Sequence, residues 1–242
     1  MLLGSTNFVI HICLLKRKFK TVLLHSETIF TFITLITFSL LSLIIFSIIG
    51  FKTDNSNIMV IIFQFVSALT TTGFQNISSI NILPHFFIGM MIILMLIGGE
   101  MGSTAGGIKQ FRIISCLKGI KQYIASAMKN KKIISLVKIR KDEQILYYDE
   151  KDFFSNYAFV FTYLIIFIIG TTIFSSFGYD IESSMFEFAS CLSTVGLSIG
   201  IINASSSGII LWTAIIGMFL GRLEIFVLFY SIIKTFSKKV RR

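Results

Sequence analysis

The stretches FQFVSALTTTGF, residues 63–74, and FEFASCLSTVGL, residues 186–197, are near-copies of each other. Identical residues recur 123 positions apart: Phe63 and Phe186, Phe65 and Phe188, Ser67 and Ser190, Leu69 and Leu192, Thr71 and Thr194, Gly73 and Gly196. Each copy ends in Thr-X-Gly-X and lies between long apolar segments. One Thr-X-Gly-X is close to meaningless, because it occurs by chance in many proteins. Two at a single offset point to an internal repeat, and to pore loops whose backbone carbonyls strip the water from a cation. Glycine permits the backbone conformation that turns carbonyls inward. A half-helix ahead of each motif directs its partly negative C-terminal end at the same place, which favours a cation over an anion. The residues that would line such a filter are Thr71, Thr72, Gly73 and Phe74 in the first copy, and Thr194, Val195, Gly196 and Leu197 in the second.

Composition places these loops in a membrane. Of 242 residues, 54% are hydrophobic and only 14% charged, whereas soluble domains carry roughly a quarter charged residues. The net charge of +10 is clustered: four of the 22 Lys and Arg lie in 16–20, eleven in 109–151 and five in 234–242. Pairs of apolar segments separate the clusters, so all three lie on one side, which the positive-inside bias makes cytoplasmic. That topology explains the basic charge without a nucleic-acid partner. Cys13, Cys116 and Cys191 are isolated and indicate neither a disulfide nor a metal site. His11, His25 and His85 have no Cys or acidic partner at ligand spacing and read as packing or interfacial residues.

A hydrocarbon core about 30 Å thick needs roughly 20 helical residues. Residues 28–51 satisfy that requirement. Residues 58–70 do not, and run as a half-helix into the first motif. Such an ending at mid-membrane needs a water-filled cavity or buried protein around it. Pro84 suits the first turn of a further helix reaching residue 97. A basic amphipathic stretch from 108 leads to a polar linker. Then the order repeats, with a span at 153–177, a half-helix at 183–193, the second motif, and a last span at 208–234. Phe177, Tyr179 and Trp212 suit an outer interfacial belt. The fold expected is an all-α polytopic membrane protein of two helix–pore loop–helix repeats, the first with a broken second helix. Its divisions are 1–25 before the first repeat, 26–128 as the first repeat, 129–152 as a cytoplasmic linker and 153–242 as the second repeat.

The break is GGEMGSTAGG, residues 98–107, with five glycines, each disfavouring helix by roughly 1 kcal/mol relative to alanine. A phosphate-cradling loop is unlike it, since the GxxxxGK[ST] spacing is absent. A kink for close helix packing is one reading. A flexible constriction below the filter is the other, built from Gly98, Gly99, Glu100, Gly102, Ser103, Thr104, Gly106 and Gly107. The repeat offset sets Gly98 against Gly221 and Gly99 against Arg222. A mid-membrane arginine needs a cavity or a partner, so Arg222 is expected to face the pore axis near the loop, with Glu100 as a candidate partner.

The segments SALTTTGF (67–74), STVGLSIGI (193–201), GGEMGSTAGGIKQFRI (98–113) and GRLEIF (221–226) resemble the TrkH/KtrB/HKT superfamily of potassium transporters. Lys109-X-X-Arg112-Ile113 leans toward its TrkH branch. The resemblance covers nearly the whole chain. It implies a pore of four such units around one axis, a K⁺ filter of four Thr-X-Gly-X-like segments, an intramembrane gate in the third unit and an arginine beside it in the fourth. It also implies a homodimer and a cytosolic nucleotide-binding regulatory ring on the basic face of a plasma (bacterial inner) membrane protein. This chain carries the third and fourth units, preceded in 1–25 by what looks like the tail of another. Glu100 stands where the family more often has a small residue. The expectation is potassium uptake by half of a complete transporter, completed by an N-terminal half or a second copy, with no cofactor beyond the transported K⁺. The alternative is a truncated, non-conducting subunit or scaffold that binds a homologue or regulator. An enzyme is not expected, because the spans lack a catalytic dyad or a metal-ligand cluster.

Overall fold

Long uncharged runs become the longest helices, because within lipid only a helix satisfies every backbone group by itself. The computed structural model describes residues 1–49, 55–128, 137–141, 144–148, 150–222 and 234. Three short helices come first: α1 (Leu2–Ser5), α2 (Phe8–Leu15) and α3 (Phe19–Leu23). The spans are α4 (Ser26–Ile49), with 24 residues, and α8 (Glu150–Ser176), with 27. At 1.5 Å per residue both exceed the roughly 30 Å core. The half-helices α5 (Asn55–Leu69) and α9 (Ile181–Leu192) have 15 and 12 residues and cannot span it. After them come α6 (His85–Ile97), α7 (Gln110–Met128) and α10 (Gly208–Arg222). The expected continuation of α10 toward 234 lies outside the described residues, apart from a helical Lys234.

The 123-residue offset survives into the fold. Helices α5 and α9 end at Leu69 and Leu192, while α6 and α10 begin at His85 and Gly208. The repeats diverge where the sequence does: α6 stops before Gly98, and α10 continues through Gly221 and Arg222. Pro84 sits one position earlier than expected, at the N-cap of α6 with φ −59°, where its missing N–H again costs nothing. The linker is not purely irregular. Its strands β1 (Val137–Lys141) and β2 (Gln144–Tyr148) form an antiparallel hairpin beside the otherwise all-α architecture.

Aromatic packing joins half-helix to spans in both repeats. Phe65 of α5 stacks on Phe87 of α6 with centroids 4.5 Å apart, and Phe46 of α4 meets Phe86 edge-on at 5.2 Å. In the second repeat Phe188 of α9 meets Phe174 of α8 at 5.6 Å. Phe188 is also wedged between glycines: a Cβ on Gly170 would lie 2.0 Å from its ring, and one on Gly217 3.0 Å. Gly170→Ala is therefore expected to lower stability by about 1–3 kcal/mol through overpacking, read as a drop in melting temperature in detergent. An unchanged midpoint would show that Phe188 has room to turn away.

Outside this core, apolar side chains stay exposed along whole helix faces. Examples are Phe32, Ile36 and Leu40 on α4, Phe161 and Ile168 on α8, and Trp212, Ile216 and Phe219 on α10. Contiguous apolar surface of that extent is what a lipid-facing helix presents.

Candidate ion-conducting site

The two half-helices end identically. Thr71 N donates to Ala68 O and Thr72 N to Ser67 O, at 3.2 and 3.1 Å. At the matching positions Thr194 N donates to Cys191 O and Val195 N to Ser190 O, at 3.1 and 2.9 Å. This 5→2 and 6→1 pairing is the Schellman ending, which puts the residue after the cap in the left-handed region. Glycine usually fills that place. Here Thr71 (φ 49°) and Thr194 (φ 53°) do, with Gly73 (φ 78°) and Gly196 (φ 94°) two residues later. A β-branched residue at positive φ is a backbone outlier, costing on the order of 1–3 kcal/mol and kept only where the surroundings over-determine it.

Those surroundings are the other motif and the 98–107 loop. A Cβ on Gly73 would lie 2.1 Å from Val195 O, so the two Thr-X-Gly-X segments touch backbone to backbone. The Gly106 N–H donates to Thr71 Oγ1 at 2.8 Å. A Cβ on Gly106 would lie 2.0 Å from Ser193 O and 2.5 Å from Thr194 Oγ1. The loop thus reaches the base of both motifs at one glycine. Neighbouring closures hold it there: Gly98 packs against the Gly106 carbonyl, Ile108 N donates to Leu96 O at 2.9 Å, and Gln110 N donates to Gly99 O at 3.0 Å.

Arg222 stands beside the loop, as the offset implied, but not with Glu100. Its Nη1 donates to Thr104 O at 2.8 Å. Glu100 is directed elsewhere, its Oε2 accepting the Asn7 N–H at 2.9 Å. The reason is that 98–107 is folded back on residues 1–8: Glu100 N donates to Ser5 O at 2.9 Å, Thr104 Oγ1 to Gly4 O at 2.8 Å, and Phe8 N to Gly102 O at 3.3 Å. Ser103 Oγ closes on Glu100 O at 2.6 Å. A cavity of about 350 Å³ adjoins the loop, lined by Gly102, Ser103, Gly106, Lys109, Gly221 and Arg222, among others. Lys109 Nζ donates to Ala105 O, so two cationic heads hold the consecutive carbonyls of residues 104 and 105. A Cβ on Gly221 would lie 1.7 Å from Leu192 O, which is how α10 comes close enough for Arg222 to reach the loop.

Sequence reasoning missed the residues behind the second motif. Glu187 is 2% exposed. It accepts from Ser198 Oγ at 2.7 Å, Ile199 N at 2.8 Å and Ile202 N at 3.4 Å. Its repeat counterpart Gln64 is fully buried, and Gln64 Nε2 donates to Asn76 Oδ1 at 2.9 Å. Tyr163, 1% exposed, braces Ser193 through a 2.8 Å hydroxyl pair. The signal was a polar residue at the same place in both copies of an apolar half-helix. The segment at 1–8 also had one, since Gly-Ser-Thr occurs at 4–6 and again at 102–104. Two histidines depart from the expected lack of acidic partners: His85 of α6 pairs with Glu182 of α9, and His25 lies among Glu27 and Glu100.

The TrkH family model, described as a cation transport protein, matches residues 2–240. An uncharacterized cation transporter of Methanocaldococcus jannaschii is 32% identical over 164 residues, which is 68% of this chain and 34% of that protein. The Trk system potassium uptake protein TrkH of Escherichia coli K12 is 31% identical over 182 residues, 73% of this chain and 36% of that protein. The crystal structure of the potassium transporter TrkH from Vibrio parahaemolyticus has the same fold, with a TM-score of 0.79 over 97% of this chain and 50% of that one, at 21% identity. This chain spans about a third of the length of the curated relatives it matches. Two pore-loop repeats and a match from residue 2 to residue 240 lead to one assignment: the chain belongs to the TrkH family of cation transport proteins, multi-pass membrane proteins and not enzymes.

Proposed function

We propose that the chain supplies half of a potassium-conducting pore. Residues 26–128 and 153–242 act as two of its pore-loop units, joined by the 129–152 linker and preceded by 1–25. Thr71, Thr72, Gly73 and Phe74, with Thr194, Val195, Gly196 and Leu197, act as filter residues that hold dehydrated K⁺ as cargo, with no resident cofactor. The loop of Gly98, Gly99, Glu100, Gly102, Ser103, Thr104, Gly106 and Gly107 acts as the gate, and Arg222 holds it shut. The observation that carries this reading is Gly106 seated against Thr71 and Thr194 at once. Arg222 and Lys109 reinforce it by placing positive charge on the carbonyls that a leaving cation would meet.

Two filter segments cannot encircle an ion, so a second copy or a chain carrying the other two units completes the ring. The 61% exposed side chain of Phe74, against 2% for Leu197, marks the first segment as the one with an open flank. The basic face of 109–151 is cytoplasmic in this reading and suits a nucleotide-binding regulatory ring. The test is uptake complementation in cells lacking potassium transport, with this chain alone and with a candidate complementary half. Growth at low potassium is the expected result for at least one pairing; stable insertion without rescue in either case defeats the transport reading. Within a rescuing assembly, Arg222→Ala is expected to raise rubidium tracer flux several-fold, because an exposed charge-assisted bond of about 1 kcal/mol no longer holds Thr104. Unchanged flux removes Arg222 from the gate.

A non-conducting scaffold is the second reading, favoured by the two-segment filter itself. Co-purification with a regulator, and no flux in liposomes for any pairing, is its signature.

A further inference from the structure

Glu100 takes no part in the contacts between the loop and the filter, yet it is 0% exposed. Its Oε2 accepts the Asn7 N–H, while Oε1 lies in the interior with no hydrogen-bond partner. Facing it from the start of α4 are His25 and Glu27, 0% and 1% exposed. His25 Nδ1 stands 3.8 Å from Glu100 Oε2, and His25 Nε2 stands 3.8 Å from Glu27 Oε2. One donor atom from each of the three residues lies within 4.8 Å of the other two. Buried carboxylate oxygens are ordinarily paired or bound to a metal, and Glu100 stands beside an imidazole and a second carboxylate.

We propose that His25, Glu27 and Glu100 form a site for one divalent transition-metal ion, zinc above others, which ties the 98–107 loop to the start of α4. One imidazole and two carboxylates form a mixed nitrogen–oxygen set. That set suits zinc and its neighbours, whereas K⁺, Mg²⁺ and Ca²⁺ favour oxygen alone. Zinc bonds to such donors are about 2.1 Å in tetrahedral geometry, so ligand atoms around one ion stand about 3.4 Å apart, a contraction of about an ångström or more from the 4.8 Å within which these donors lie. Side-chain rotation covers that distance. The supporting hydrogen bonds that orient metal ligands are already made. Asn7 N–H holds Glu100, Met101 N–H holds Glu27 Oε1 at 2.8 Å, and His25 Nδ1 lies 3.1 Å from Thr28 Oγ1. The tautomer that binds an ion donates Nδ1–H to Thr28 Oγ1 and leaves the Nε2 lone pair for the metal on the side of Glu27, giving up the 3.4 Å approach of the Thr28 N–H to Nδ1. The site stands on this geometry alone. Only its consequence, a loop stabilised in the shut position, rests on the gate reading.

The test measures binding and needs no transport. The full chain is purified in detergent, stripped with chelator, and titrated with Zn²⁺ by calorimetry, with bound zinc counted after desalting. One ion per chain is expected. Glu100→Gln, close to isosteric, is expected to weaken binding at least tenfold, and so is His25→Asn. His85→Ala and a variant with Cys13, Cys116 and Cys191 all changed to Ser are expected to bind as the parent does. Size-exclusion profiles and melting curves in chelator establish that each variant is folded. No bound zinc on a monodisperse parent, parental affinity in folded Glu100→Gln, or loss of binding in the cysteine variant would each overturn the site. Failure of potassium uptake leaves it standing, so the two readings fall separately.

Discussion

Gly106→Ala is expected to lift the 98–107 loop off the base of the two Thr-X-Gly-X segments. The added Cβ would lie 2.0 Å from Ser193 O, 2.8 Å from Ser193 C and 2.5 Å from Thr194 Oγ1. Two of those atoms are backbone, and Ser193 cannot retreat: its N–H is bonded to Ala189 O and its hydroxyl to Tyr163. The loop must therefore move, and Gly106 N–H leaves Thr71 Oγ1. Stability should fall by about 1–3 kcal/mol. If the loop is the gate, the open state gains about 1.4 kcal/mol, which is about tenfold in its population and in rubidium flux through an assembled transporter. Gly89→Ala is the control, since a Cβ there meets nothing within 4 Å. A Gly106→Ala protein that matched the control in both melting temperature and flux would show that the loop is not pressed against the two Thr-X-Gly-X segments.

Glu187→Ala is expected to have the largest effect of any single change behind the motifs. The carboxylate gathers Ser198 Oγ, Ile199 N and Ile202 N, which fixes the chain leaving the second motif. Alanine would strand the two half-buried backbone donors of Ile199 and Ile202, at about 1 kcal/mol or more each, while the exposed Ser198 hydroxyl can turn to water. A loss of about 2–3 kcal/mol is expected on that basis. Glu187→Gln keeps one acceptor oxygen and should recover about half. Its counterpart Gln64 already works with one amide bond to Asn76. In an assembled transporter the ratio of potassium to sodium uptake should fall with Ala and partly recover with Gln. Two variants with equal melting curves and equal ion preference would show that Glu187 does not hold the chain leaving the second motif.

Much of the fold was legible because apolar length and glycine clustering are one-dimensional signals. Helices α4 and α8 follow from uncharged runs, and α5 and α9 from apolar runs too short to span. The break after Ile97 follows from five glycines in ten residues. The pairing of Arg222 with the loop also followed from the repeat offset. Its partner atom did not. Charge alone suggested Glu100, but the fold offers Arg222 the Thr104 carbonyl and turns Glu100 toward Asn7 and His25. Glu187 carried one signal in the sequence, the polar Gln64 at the matching place of the other half-helix, and that signal names no partner. Its meaning lies in three donors 11 to 15 residues further on.

By itself the sequence determined the repeat and the half-helices, since both are written in spacing along the chain, and its motifs carried the resemblance to the TrkH family. Only the tertiary structure decided that two threonines hold left-handed backbone at equivalent helix ends. Only it showed Gly106 fitting beneath both of them, and residues 1–8 serving as the bed of the loop. Those facts depend on which carbonyl meets which amide across folded segments. Hydrogen-bond partners at that range are set by the packing of α4, α9 and α10, and no periodicity in the sequence encodes them.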